Sequence, residues 1–313
     1  MKHKILHREA SLDDISLIIG IKYVGEKSFI NTLNYADFNS KKRSVLVYCN
    51  SKKYLSVALK KNNIKAIITT KQLFGCIDKS ERIKQAIFLS EDPKNTFFKL
   101  HNYLAKNTLF YDDYNFKKII GNNCKIHKSV TIDDGVIIGN NVTIDENVVV
   151  RKGSYIEDNV TIRMNSSIGV NNLELFEDAQ EKLVLVCHVG GTKICKNAYI
   201  GSNTVIAKNI FEDYCQIGSH TYIDNMVHVS HNSNIGEKNI ITSGVIIAGS
   251  VIIGDDCWIA NKVSISNGIT IGNRVKINSG SVVVNNIESN KTVGGFYAVD
   301  NIKWLAHIAK IIK

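Results

Sequence analysis

From Ile120 to Ile168 every sixth residue is a branched aliphatic: Ile120, Ile126, Ile132, Ile138, Ile144, Val150, Ile156, Ile162 and Ile168. The series resumes at Ile194, Ile200 and Ile206, slips by one residue, and runs on from Ile217 through Val229, Ile241, Ile253, Ile265 and Ile277 to Val283. An α-helix brings side chains into register about every 3.6 residues and an ordinary strand about every 2, so neither accounts for a period of six. A parallel β-helix does, because each of its three sides takes six residues and turns one aliphatic toward the prism axis. Gly, Asn and Asp follow the aliphatic in IGNNCK, IGNNVT, IGEKNI, IGDDCW and IGNRVK, where corners demand backbone angles that these residues tolerate. About eight coils at a strand spacing of about 4.8 Å predict a prism roughly 40 Å long.

Both ends of such a prism are open sheet edges that need covers, and the chain has material for both. Residues 1–115 lack the hexad and read as an α/β domain. SVLVYC and KAIITT are expected strands, KKYLSVALKKNN between them has helical spacing, and DPKNTFFKLHNYLAKN is an amphipathic helix starting near Asp92. Residues 116–287 form the prism, interrupted at 169–193 by an insertion whose alternating LVLV predicts a hairpin or loop that leaves the coil and returns. Insertions of this kind lie on one face of a repeat and often shape the binding site. Residues 288–313 end in a short amphipathic helix, apolar at Ile302, Leu305, Ile308, Ala309 and Ile312.

Composition narrows the function classes. No apolar run approaches the length of a membrane span, and MKHKILHREASLDDIS has no apolar signal core, so a cytoplasmic protein is expected. The seven cysteines are scattered without a CxxC pair or zinc spacing, which predicts free thiols and no metal. The formal charge of +10 is spread over both domains, with short clusters such as Lys41-Lys42-Arg43 and Lys60-Lys61. Nucleic-acid binding would gather that charge into a stripe; a nucleotide or an acidic carrier protein uses it as it stands.

Hexad arrays of this type resemble the hexapeptide acyltransferases, and the resemblance implies that the β-helix is left-handed. The fold expected is therefore mainly β: a left-handed parallel β-helix with an N-terminal α/β domain and a short C-terminal helix. The stretch TYIDNMVHVSHNSNIG, residues 221–236, resembles the IDN-x-V-x-I-x-HN-x-x-IG signature of the UDP-3-O-acylglucosamine N-acyltransferases of lipid A synthesis. An HxGG step, His188 with Gly190 and Gly191, follows the insertion as it does in that family. Matched residue by residue, His231 takes the place of the family's catalytic histidine, and Gly249 that of the glycine whose N–H holds the oxyanion. The resemblance also implies a homotrimer with the site between subunits, and a thioester of coenzyme A or acyl carrier protein as co-substrate.

The chemistry is reasonable in itself. An amine attacking a thioester must lose a proton, which suits an imidazole, and the developing oxyanion needs a fixed donor such as a backbone N–H at a tight glycine. Asp224 either orients an imidazole or forms a turn with Asn225. His228 lies near the same edge as His231, and His188 and His220 are candidate substrate contacts. In the first domain VYCNSKKYLSVAL resembles the family's uridine-binding strand and turn with one extra residue, Asn50 and Tyr54 matching and Tyr48 or Val47 falling where an aromatic would stack on the base.

Several positions depart from that family. VNNLELF, Val170 to Phe176, replaces DGFGY; Ala207 and Lys208 replace an acid and an arginine; Gly268 stands where a second histidine is expected; and the last helix is short. SNGITIGNRVKINSGSVVVNNI resembles instead sugar N-acetyltransferases that use acyl-coenzyme A. These features predict an N-acyltransferase of a nucleotide-linked amino sugar for a bacterial surface glycan such as O-antigen, with acyl-CoA as donor. The alternative is the lipid A enzyme itself, fed by acyl carrier protein. A non-catalytic β-helix scaffold is the alternative from another class; an ice-binding face would need ranks of Thr that Thr131, Thr143 and Thr161 do not continue.

Overall fold

A computed structural model describes residues 8–38, 44–77, 83–178, 180–295, 302–303 and 309–310. The N-terminal domain is a five-stranded sheet in the order Tyr23–Val24, Ala86–Leu89, Ile64–Thr69, Val45–Cys49, Thr32–Leu33, parallel except for its first pair. Period-two alternation sorts its side chains. Leu46, Ala66, Ile68 and Phe88 pack under the helix Pro93–Asn107, while Val45, Val47, Cys49, Ile67 and Ile87 pack on the opposite face with the helix Lys52–Lys60. The expected strands and helices in this region are present, and Asp92 caps the long helix by accepting from Asn95 N–H. The short helix Leu12–Ile19 adds Leu12 and Ile15 to the first core.

The rest of the chain winds through three parallel sheets, here I, II and III in the order the chain first meets them. Sheet I runs from Ile119–Ile120 to Thr270–Ile271, sheet II from Lys125–Ile126 to Thr292–Val293, and sheet III from Thr131–Ile132 to Val282–Val283. Equivalent residues of neighbouring coils are 18 apart, as in Ile138 and Ile156. The sixth-position aliphatics meet on the axis and form one continuous buried core. At the corners Asn123, Asn141, Asn159, Asn203 and Asn232 take positive φ, which asparagine adopts more readily than other side-chained residues. The hexapeptide array is thus a left-handed parallel β-helix.

Two excursions interrupt the winding. Ile156 pairs with Ile194, 38 residues on, which leaves 20 residues outside the coil. Strands Ser167–Val170 and Gly191–Ile194 belong to the prism, so the excursion is 171–190, tighter than the 169–193 expected, and it carries the hairpin Leu175–Glu177 with Leu183–Leu185. Ile206 pairs with Val229, 23 residues on. The one-residue slip in the aliphatic spacing is therefore a five-residue addition in the loop 208–213, since a count in sixes cannot tell plus five from minus one. The prism also runs past 287, because Thr292–Val293 pairs with Lys276–Ile277. Of the C-terminal helix, 302–303 and 309–310 are helical, and the remainder of its expected apolar face lies outside the described residues.

The excursions join the two domains. Phe176 and Val186 from the first, and Ile210 and Phe211 from the second, enter the core formed by Phe97, Phe98, Leu100 and Leu104 of the long helix. Asn102 clamps the end of the hairpin reciprocally, donating to Leu185 O at 2.8 Å and accepting from Cys187 N–H at 2.8 Å. His101 Nε2–H donates to Cys187 O at 2.8 Å, which leaves Nδ1 to accept from Tyr111 OH at 2.7 Å. Buried polar groups paired this way fix the backbone immediately before His188.

Candidate active site

The prism sorts the candidate residues by edge. His231 follows strand His228–Val229, so it sits at the corner from sheet III to sheet I. Register places Gly249 one coil on and Asn267 two coils on at the same corner. His188, two residues before Gly190 and the return to sheet I, arrives at that edge from the excursion. Asp224 and Asn225 occupy the corner from sheet II to III, and His220 the corner from I to II.

The site gathers around His231. The ring is buried, its Nε2 is 3.8 Å from Oε2 of Glu174, and its centroid is 5.9 Å from that of His188. Its Nδ1 is buried without a hydrogen-bond partner among the described residues. His188 is held as the Nδ1–H tautomer, donating to Val186 O at 3.1 Å and accepting at Nε2 from Asn172 N–H at 3.4 Å. The Asn172 amide donates to Ser230 Oγ and, at 3.5 Å, to His228 Nε2. Glu174 is fixed from its other oxygen by Lys94 of the long helix, 3.3 Å away.

Burial sets the charge state. It pushes the His231 pKa down to about 4, with His228 a second and smaller cause, and it pushes His188 to about 4 as well. His228 is lowered by the same cause. At neutral pH the cleft therefore holds neutral imidazoles beside a carboxylate, and a neutral imidazole can accept a proton. The His231–Glu174 contact becomes an ion pair only once the ring takes one.

The remaining candidates are placed elsewhere. Asp224 accepts from Ser243 Oγ and from Asn225 N–H, one corner away from His231, so within the chain it does not orient that ring. Glu174 is the carboxylate that stands there. Asn225 accepts from Ser202 N–H, and His220 meets Asn197 Nδ2 at 3.1 Å. Tyr48 is partly buried and lies among Tyr35, Phe97 and Phe98 at centroid distances of 6.2, 5.0 and 6.1 Å, which makes it a packing ring of the domain. Burial first and Glu174 second raise the phenol pKa values of Tyr35 and Tyr48. Tyr54 packs into the core on the sheet's other face, with Lys53 Nζ 5.6 Å from its ring centroid, and Asn50, between Tyr48 and Tyr54 in sequence, is exposed. Among the described residues no cluster of His, Cys, Asp or Glu has metal-binding geometry, and no helix is long and apolar enough to cross a membrane.

Sequence reading missed Glu174, Asn172, Ser230 and Asn267. Asn172 and Glu174 fall inside VNNLELF, so the departure from DGFGY was itself the signal.

Comparison with known proteins agrees with the fold and sharpens the kinship. The bacterial transferase hexapeptide (six repeats) model matches residues 117–152 and 135–170, and the hexapeptide repeat of succinyl-transferase matches 250–284. Residues 117–170 and 250–284 therefore carry the hexapeptide repeat found in bacterial transferases. Over 124 residues it is 43% identical to UDP-3-O-acylglucosamine N-acyltransferase of Rickettsia akari, covering 38% of this chain and 34% of that one. The Rickettsia prowazekii protein of the same name is 49% identical over 124 residues, with the same coverage, 38% and 34%. The match spans about a third of the length of these relatives. The solved UDP-N-acetylglucosamine acyltransferase of Bacteroides fragilis aligns with 63% of this chain and 75% of its own, at 25% identity and a TM-score of 0.49.

Proposed function

We propose that the protein transfers an acyl group from a pantetheine thioester to the amino group of a UDP-linked amino sugar, UDP-3-O-acylglucosamine or a close analogue. The observation that carries this reading is a buried, neutral His231 facing a glycine with no Cβ to crowd it. The acyl carbonyl would lie against Gly249, whose N–H would stabilise the oxyanion. His231 would take a proton from the attacking nitrogen and deliver one to the departing sulfur. The names of the relatives favour this acceptor over the amino sugar of some other surface glycan. Asn50 and Tyr54 are the candidates for nucleotide contact.

A site on a prism edge is open on one flank, and a homotrimer about a threefold axis would close it with a neighbouring chain. Incubation with UDP-linked amino sugars and a panel of acyl thioesters, followed by mass measurement of the nucleotide product, tests the reading. An added acyl mass on the sugar nitrogen is the expected result. No acylated product from any pair would leave a scaffold as the better account.

A further inference from the structure

We infer that Glu174 binds the acceptor as its ammonium ion and makes the site choose an amine over a hydroxyl; this rests on the N-acyl transfer proposed above. Glu174 Oε2 and His231 Nε2 are 3.8 Å apart, too far for a hydrogen bond to each other. A single nitrogen can nevertheless reach both at about 2.8–3.0 Å. An sp3 ammonium has N–H bonds to spare for two such acceptors, whereas a hydroxyl has one. Glu174 is also unusual in its setting. Its side chain is only 20% exposed, and Lys94 occupies Oε1, so the remaining oxygen is the one aimed at the base. Lys94 pairs with Oε1, and the imidazoles of the cleft, His188, His228 and His231, are held neutral by burial, so none of them is a cation for Oε2 at neutral pH. Glu174 Oε2 therefore remains the acceptor next to the reacting position.

The step balances as follows. The ammonium loses a proton to His231, and the free amine attacks the thioester carbonyl; the C–N bond forms and the C–S bond breaks. The amine nitrogen sheds a second proton as the amide forms. Of the two protons released, one ends on the thiol and the other passes to water. Glu174 would hold the imidazolium that exists between these events as well as the incoming ammonium.

Glu174→Gln keeps the shape and removes the charge. With UDP-3-O-acylglucosamine as acceptor, this variant should raise the acceptor KM about tenfold or more, as expected for a lost charge-assisted contact. Turnover should stay within about threefold, since the contact acts on ground and transition states alike. The isostere bearing a hydroxyl in place of the amine, used as a competitive inhibitor, should inhibit wild type and variant equally. An unchanged acceptor KM overturns the inference, and so does an isostere weakened by the same factor as the amine, which would mean a general loss of cleft shape. If wild-type protein forms no amide at all, the parent reading fails and takes this one with it; product made by the variant at wild-type KM sinks only the role of Glu174.

Discussion

A Cβ on Gly249 would lie 2.5 Å from Cε1 of His231 and 2.8 Å from Oδ1 of Asn267. Both neighbours are side chains at the same corner one coil below and one coil above, so the glycine keeps open the space against the imidazole. Gly249→Ala should leave the fold intact, because the backbone there is not in the left-handed region. The ring must turn or shift, and turnover should fall by about 100-fold, the scale on which misplaced catalytic groups act. Circular dichroism together with steady-state rates checks this; full activity would mean that the ring and the glycine do not work together.

His231→Ala should cost about 100-fold or more in turnover, the usual contribution of a general base. The pH profile gives a second reading of the same side chain. With its pKa pushed down to about 4, His231 stays unprotonated and able to act through the neutral range. The acid limb of kcat/KM that belongs to this group should appear below about pH 5, not near the ordinary histidine value of 6.5. A limb at that ordinary value, absent in the alanine variant, would make His231 a solvated imidazole.

Stability should follow the same protons. His101, His188 and His231 all fall from 6.5 to about 4 on burial, so between those values the unfolded chain binds more protons than the folded one. The folded state is favoured above pH 6.5 and loses that advantage as pH falls toward 4. Melting temperature should be flat through neutrality and decline across this window. His101 is the structural member of the three, tied to Cys187 and Tyr111, and His101→Gln should lower Tm at neutral pH while shallowing the acid decline.

How legible each part was depended on whether its cause is local. The prism could be read residue by residue, because one aliphatic in six is a repeat that only a three-sided coil satisfies. The helix capped by Asp92 was equally local. Glu174 was not: it faces His231 because the excursion folds back against Pro93–Asn107, a packing of Phe176 and Val186 on Phe97 and Phe98 that no spacing announces. Asp224 shows the converse within one chain. It is close to His231 in sequence, but each prism corner turns the chain away, and seven residues amount to a different edge. The five-residue addition in the loop carrying Phe211 was hidden because its length mimics a one-residue deletion in a period of six.

The two tyrosines of the first domain should behave differently. Tyr54→Ala should raise the KM for the nucleotide sugar far more than it lowers kcat, as for a contact made equally in ground and transition states. Tyr48→Ala should instead destabilise the domain by roughly 3 kcal/mol, since it removes a ring packed on Phe97 and Phe98. Denaturant unfolding and initial rates on the same preparations separate the two. A kinetic defect in Tyr48→Ala at unchanged stability would return that ring to the base pocket.

The acyl donor follows from what lines the edge around His231. Beyond Gly249 the same corner continues with Asn267 and Gly268, and a Cβ on Gly268 would meet nothing within 4 Å, so no second imidazole narrows the path. On the side of His188 a cavity of about 280 Å³ is lined by Tyr111, Asp112, Asp113, Lys152 and Lys208. A long alkyl chain placed there would strip water from charged groups without replacing it. The charged groups on the His188 side suit the amides of a pantetheine arm and a short acyl group, and the apolar surface beside Gly249 is Ile246 and Ile252, each exposed on a flanking strand. We therefore expect acetyl-CoA or a short hydroxyacyl-CoA to support amide formation, at a kcat/KM at least about tenfold above that of a long-chain acyl thioester, a gap of about 1.4 kcal/mol. Parallel assays with short acyl-CoA and with long-chain 3-hydroxyacyl carrier protein decide it. Turnover with the carrier alone would mean that the chain lies in an apolar groove completed by a neighbouring subunit, and would make the protein a lipid A enzyme in donor as well as acceptor.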